Sequence, residues 1–182
     1  QIENPCPANR EKAETAIRKY AAITITDPVL SIMLSRYRVN KDNMRTEALR
    51  MMTESDKREI VKFGIALWGQ CGQPEDVEII KVLGRHEEFS LYCAGAIHVN
   101  MPGPGGNDIL IYLSENLKGW GKIAVAYEFD YTQKEARYYS VAQGCENTIG
   151  LSYLSNVCAT KGKMTEIMQE MLDGQEEFGK FS

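Results

Sequence analysis

The stretch PEDVEIIKVLGRHEEFSLYCAGAI, residues 74 to 97, decides the fold. Pro74 followed by Glu75 and Asp76 suits a helix start, because proline gives up only an N–H that has no helical partner there, and acids oppose the positive end of the helix dipole. Val77, Ile80 and Leu83 then recur at helical spacing, and Gly84 closes the helix. Phe89, Tyr92, Cys93, Ala96 and Ile97 draw a second apolar face. Two helices joined by so short a turn are antiparallel neighbours.

The same order returns in NDILIYLSENLKGWGKIAVAYEF, residues 107 to 129, with Val77 and Ile109 standing 32 positions apart. A third copy is KEARYYSVAQGCENTIGLSYLSNVCA, residues 134 to 159. Two-helix units repeating every ~30–40 residues have the period of HEAT-like repeats. Each short hairpin buries its stripe only against the next, so the reading is all-α: a HEAT/ARM-like α-α superhelix, or solenoid, of antiparallel hairpins.

Outward from that core, Ala13, Ala16, Ile17, Tyr20 and Ala21 mark a first helix. Asp27-Pro28 reads as the start of a second, with Leu30, Met33, Leu34 and Tyr37 on its inner face. Met44, Ala48, Met51 and Met52 give a third, and Ile60, Phe63, Gly64, Leu67 and Trp68 a fourth that ends at Gly72. Asn107 or Asp108 is read as the cap of the helix carrying Leu110, Leu113 and Leu117. Trp120, Ile123, Ala124 and Tyr127 are read as one buried face, with Gly119 ending the helix before it. Leu151, Leu154 and Cys158 line one side of the next segment, and Met164, Ile167, Met168, Met171 and Leu172 finish the pattern. About eleven helices are expected. The organisation is hairpins over residues 1–56 continuous with the solenoid, HEAT-like repeats over 57–173, and a frayed tail, GQEEFGKFS, over 174–182.

KFGIALWGQCG, LGRHEEFSLYCAGAI, GWGKIAVAYEF and QGCENTIGLSYLSNVCA resemble the successive repeats of a bacterial HEAT-repeat family of no established function. The resemblance covers residues 57 to 173. It implies an α-solenoid and no reaction.

Composition fits a folded soluble chain: 43% of residues are hydrophobic and 25% charged. No apolar run approaches the roughly 20 residues that span a bilayer. The chain opens on Gln1 without a charged-then-apolar leader, so a processed or excised chain is expected, and a removed signal peptide stays open. The five cysteines stand at spacings of 65, 22, 52 and 13 without a CxxC pair. Cys71, Cys93 and Cys158 fall in apolar stripes and are read as buried hydrophobes of a cytoplasmic protein.

The net charge of −4 is unevenly divided. Residues 1–62 carry 12 Lys and Arg against 9 Asp and Glu, whereas 63–182 carry 9 against 16. That acidic balance repels phosphate backbones and makes nucleic acid a poor partner, while it suits a basic protein.

A search for chemistry finds little. Gly119-Trp120-Gly121-Lys122 lacks the spacing and the following Ser or Thr of a phosphate loop, and it follows a helix rather than a strand. It is read as a turn, with Trp120 a buried wedge whose truncation removes roughly 3–5 kcal/mol. PGPGG, residues 102 to 106, spends two amides on proline and is read as a connector rather than an anion loop. RHEEF fails as HExxH because position 90 is serine and His98 lies twelve residues from His86. Arg85 and His86 sit at a hairpin turn, suited to capping carbonyls or pairing with Glu87 or Glu88. Cys145 in GCEN is the one cysteine in an open context, read as part of a turn rather than as a nucleophile. No cofactor or metal site is expected.

The leading functional expectation is therefore a non-catalytic scaffold that binds a protein partner on its solenoid surface, a basic protein being the partner that the charge suits. Two alternatives stay open. One is a HEAT-like DNA glycosylase or lyase, for which Trp120, Glu128, Asp130 and Arg137 would supply the aromatic, acid and arginine set; the other is a purely structural repeat.

Overall fold

The computed structural model describes residues 6–173. Eleven α-helices lie among them and no strand does, so the all-α expectation holds. The chain divides into two compact units, the first ending at Ile80 and the second beginning at Lys81. The tail read at 174–182 lies outside the described residues.

The first unit holds α1 (Pro7–Ile17), α2 (Ala22–Arg36), α3 (Lys41–Glu54), α4 (Arg58–Cys71), a 3₁₀ turn (Pro74–Asp76) and the start of α5 (Val77–Gly84). The α3–α4 pair forms its centre, and α1 and α2 both pack on α4. Met44, Ala48, Met51, Met52, Ile60, Phe63, Leu67 and Trp68 are buried, as their periodicity predicts. The boundary read at residue 56 falls between α3 and α4, inside this unit.

Two buried carboxylates organise it. Glu47 on α3 accepts hydrogen bonds from Arg10 Nε on α1 at 3.0 Å and from Arg50 Nε at 3.1 Å, while Arg50 also donates to Glu14. Asp76 accepts both arms of Arg45 at 2.6 and 2.8 Å, the Trp68 indole N–H at 3.0 Å and the Gln73 amide at 3.0 Å. The Arg45 fork beside it, more than any other neighbour, holds the Asp76 carboxyl below the usual carboxylate range.

The α1 and α2 stripes are only partly buried. Ile17, Ala22 and Leu30 are covered, but Tyr20, Leu34 and Tyr37 are exposed. An apolar hollow of about 550 Å³ opens between Ile17, Tyr20, Ile25, Met33, Phe63 and Leu67. Pro28 is not a helix start: α2 begins six residues earlier, at Ala22, whose N–H donates to Glu59 at 2.5 Å, and Pro28 lies inside the helix.

The second unit continues with α6 (Glu87–Asn100), α7 (Pro104–Asn116), α8 (Gly119–Tyr127), α9 (Lys134–Tyr139), a π turn (Ser140–Gly144), α10 (Ser152–Thr160) and α11 (Met164–Leu172). Helix α8 contacts α6, α7 and α10, and α7 contacts α6 and α9. Helix α7 is capped by Gly103 at φ +89°, not by Asn107 or Asp108. Asn107 is buried one turn inside, where its amide donates to the Asp130 carbonyl at 3.0 Å and accepts the Asp130 N–H at 2.9 Å. Of the final stripe only Ile167 is buried; Met164, Met168, Met171 and Leu172 are exposed. Cys71, Cys93 and Cys158 are buried and free, as expected from their stripes.

Candidate functional site

GWGK is the first turn of α8, not the turn before it. Gly119 opens the helix at φ +60°, a left-handed conformation that other L-residues rarely adopt. A Cβ on Gly121 would stand 2.9 Å from Ser90 Oγ and 3.0 Å from Leu117 Cδ2, so α8 approaches α6 closely there. Gly119, Gly121, Ile123, Val125 and Ala126 are buried. Trp120 is 56% exposed and Tyr127 49%. The sequence stripe therefore divides: Ile123 goes to the core, and Trp120, half-buried Ala124 and Tyr127 turn outward. With about 100° per residue these three share a sector of about 60°. The expectation of a buried Trp120 wedge is overturned: Trp120 is on the outer side, and on the inner side Ser90 and Leu117 approach Gly121 too closely to admit a larger side chain.

Helix α10 adds to this outer face. The Tyr153 ring, 46% exposed, meets Trp120 edge-on with centroids 4.9 Å apart. The Tyr127 hydroxyl donates to the Tyr153 carbonyl at 3.3 Å. Lys161, at the end of α10, holds its ammonium 5.9 Å from the Tyr127 centroid and 5.8 Å from that of Tyr131. Ile149 and Leu151 are exposed in the segment leading into α10.

Beyond Lys161 the surface dips into a depression of about 630 Å³ lined by Phe129, Asp130, Tyr131, Arg137, Lys161 and Lys163, among others. Asp130 Oδ1 accepts from the Thr132 hydroxyl at 2.6 Å and its amide at 3.0 Å. Those bonds, the hydroxyl first, hold its carboxyl below the usual range, so it stays an anion rather than a proton donor. Tyr131 donates to the Ala126 carbonyl at 2.7 Å, and burial pushes its phenol up. Arg137 Nε is buried and makes no hydrogen bond among the described residues. Its Nη1 lies 3.5 Å from Glu166 Oε2, and the same oxygen is 3.1 Å from Lys163 Nζ. Lys163 adopts φ +55°, ψ +50°, the one non-glycine residue with positive φ among those described.

The residues singled out from sequence are thus dispersed. Asp130 and Arg137 share the depression. Glu128 lies beside it, lining with Asp130 and His98 a small cleft of about 70 Å³, and its carbonyl is 2.9 Å from His98 Nδ1. Trp120 does not line either hollow. Arg85 and His86 are exposed at the α5–α6 turn, where His86 Nδ1 caps α6 by accepting the Glu88 N–H at 3.2 Å. Cys145 is no activated thiolate, since burial and then its Cys158 neighbour push the thiol up to about 12. Sequence reading missed Tyr153, Lys161 and Lys163. Lys-Gly-Lys on a tight inter-helix turn was the signal available for the last two.

Among the described residues no three His, Cys, Asp or Glu side chains gather as metal ligands, and no helix is long and apolar enough to cross a membrane. What the fold and this surface define is an all-α protein with an outward aromatic face beside a cationic depression. The chain matches no family model, no curated protein and no solved structure.

Proposed function

We propose that the chain is a non-catalytic protein-interaction module, a HEAT-like α-solenoid that binds a macromolecular partner on the outer face of α8 and α10. The observation that carries the reading is the interlocked exposure of Trp120, Tyr127 and Tyr153. Aromatic rings are enriched at protein interfaces because they remove much apolar area from water at low entropic cost, and adjoining exposed apolar side chains mark such surfaces. The helix contacts support the solenoid part: α8 touches its sequence neighbour α7 and the next-but-one helices α6 and α10, the pattern that stacked hairpins generate. The resemblance over residues 57 to 173 points the same way. The acidic balance of residues 63–182 favours a partner of basic overall character, through long-range attraction. A cytoplasmic location goes with this reading.

The test is capture of partners from native cells by the wild type and by the Trp120→Ala/Tyr153→Ala variant, with circular dichroism confirming that both are helical. A protein retained by the wild type and lost from the variant is expected. Equal retention by both, or retention of DNA in place of protein, would overturn the reading; the second outcome belongs to the glycosylase alternative.

A further inference from the structure

Resting on that reading, we propose that the depression beside the aromatic face seats one acidic side chain of the partner, a Glu or Asp carboxylate, and that Glu166 occupies part of this seat when no partner is bound. Three observations meet there. Arg137 is mostly buried, yet its Nε has no hydrogen-bond partner among the described residues. That Nε is closed off from solvent, so an incoming carboxylate meets the terminal nitrogens of the guanidinium, which lines the depression. Next, a single carboxylate oxygen, Glu166 Oε2, already stands 3.5 Å from Arg137 and 3.1 Å from Lys163, which marks where an anion is stabilised. The Arg137 contact is too long for a hydrogen bond, and Glu166 is 56% exposed, so the chain's own acid holds the place loosely. Third, the lysines are positioned rather than free-swinging. Lys161 lies over two tyrosine rings, and Lys163 follows the buried Gly162 in a left-handed conformation that costs a non-glycine residue free energy.

Charge favours an anion: Arg137, Lys161 and Lys163 line the depression against Asp130, which already accepts from Thr132, and Glu166 reaches Arg137 and Lys163 at its edge. The acidic total of the chain does not contradict this. Net charge steers a partner at long range, whereas a pocket selects by contacts within a few ångströms. The continuous surface from Trp120 through Tyr127 and Lys161 to Arg137 would bind an aromatic or aliphatic anchor at one end and a carboxylate at the other.

The test uses ¹⁵N-labelled full chain and two probes, N-acetyl tetraglutamate amide and its tetraglutamine counterpart, followed by the Arg137 Nε–H signal and the amides of residues 161 to 163. Tetraglutamate is expected to shift these signals saturably and tetraglutamine to leave them in place. Glu166→Gln, which removes the internal competitor, is expected to tighten tetraglutamate binding about two- to five-fold, the range of an exposed ion pair. Arg137→Gln is expected to weaken it about tenfold or more, and Arg137→Lys, which keeps charge and fold but loses the fork, to weaken it as well. No shift with tetraglutamate, or weaker binding in Glu166→Gln, would overturn the proposal. So would inorganic phosphate acting at lower concentration than tetraglutamate, which would reassign the seat to phosphate. Trp120→Ala is expected to leave tetraglutamate binding unchanged. Failure of the carboxylate seat is thereby separated from failure of the aromatic face, which partner capture reads.

Discussion

Replacing Asp76 by Asn tests the buried acid that ties α3, α4 and the 3₁₀ turn together. The amide keeps the shape and one acceptor, so the Trp68 and Gln73 bonds survive in weakened form, but its NH₂ meets the Arg45 fork with the wrong polarity. Breaking a fully buried pair costs about 3–5 kcal/mol, and a hydrogen bond to a charged group is worth about 1.5–3. Asp76 is only 4% exposed, but the Arg45 side chain is 33% exposed and recovers part of its loss from water. The expected destabilisation is therefore about 2–3 kcal/mol, a urea midpoint shift of about 1 M or more for a slope of roughly 2 kcal/mol/M. The chain has two tryptophans, so a Trp120→Phe background leaves buried Trp68 as the fluorescent reporter of the first unit. The pH dependence has a fixed sign. Because the folded Asp76 carboxyl is lowered, its contribution is complete above the ordinary value of about 3.9 and disappears as pH falls through the folded one. Wild type and Asp76→Asn should thus converge in acid. A difference below about 0.5 kcal/mol at pH 7, or a gap that persists unchanged into acid, would refute the reasoning.

Gly64→Ala places a Cβ 2.7 Å from Met51 Cβ and 3.1 Å from the Ala48 carbonyl, neither of which is a movable side-chain tip, so α3 and α4 must separate. A cost of about 1–3 kcal/mol is expected in the same urea assay. Trp120→Ala, by contrast, loses one edge-on contact and a half-exposed ring; a thermal melt should show about 1 kcal/mol lost, well short of a core truncation. Burial pushes the Cys71 thiol up to about 11 and raises Cys93 further, and burial with the Cys158 neighbour pushes half-buried Cys145 up to about 12, so a disulfide reagent at pH 8 should titrate one thiol quickly in the native protein, half-buried Cys6, and the others slowly or only in denaturant. Two or more fast thiols would contradict the burial of Cys71, Cys93 and Cys158 or the raised Cys145 thiol.

The helices were legible because their stripes are long and regular: the α3 and α4 residues picked from sequence are the ones the core buries. Helix starts were less so. Pro28 and Asn107 carry strong start signals, yet a helix admits proline within its early turns when tertiary contacts hold the preceding turn, and an asparagine can bond across space instead of capping. Glu47 had no sequence signal at all. A glutamate between Thr46 and Ala48 looks like any surface acid until Arg10 and Arg50 converge on it from 37 and three residues away. The cationic seat was hidden by arithmetic: residues 63–182 are net acidic, and nothing in a sum shows Arg137, Lys161 and Lys163 converging.

The direction in which α8 presents Trp120 follows from its glycines. An amphipathic stripe says that residues share a face, not which neighbour the face meets. On α8 the competition is between an aromatic sector, Trp120, Ala124 and Tyr127, and the remaining surface made of Gly119, Gly121, Ile123, Val125 and Ala126. Rotating the helix to bury the indole would bring a larger side chain to the place of Gly121, where a Cβ would already stand 2.9 Å from Ser90 Oγ and 3.0 Å from Leu117 Cδ2. The two glycines flanking Trp120 thereby fix the indole outward, and the feature that resembles a phosphate loop in the sequence is the device that exposes the aromatic face. The exposure of Trp120 is thus set by the packing of the opposite side of α8, and it is the feature on which the proposed partner face rests.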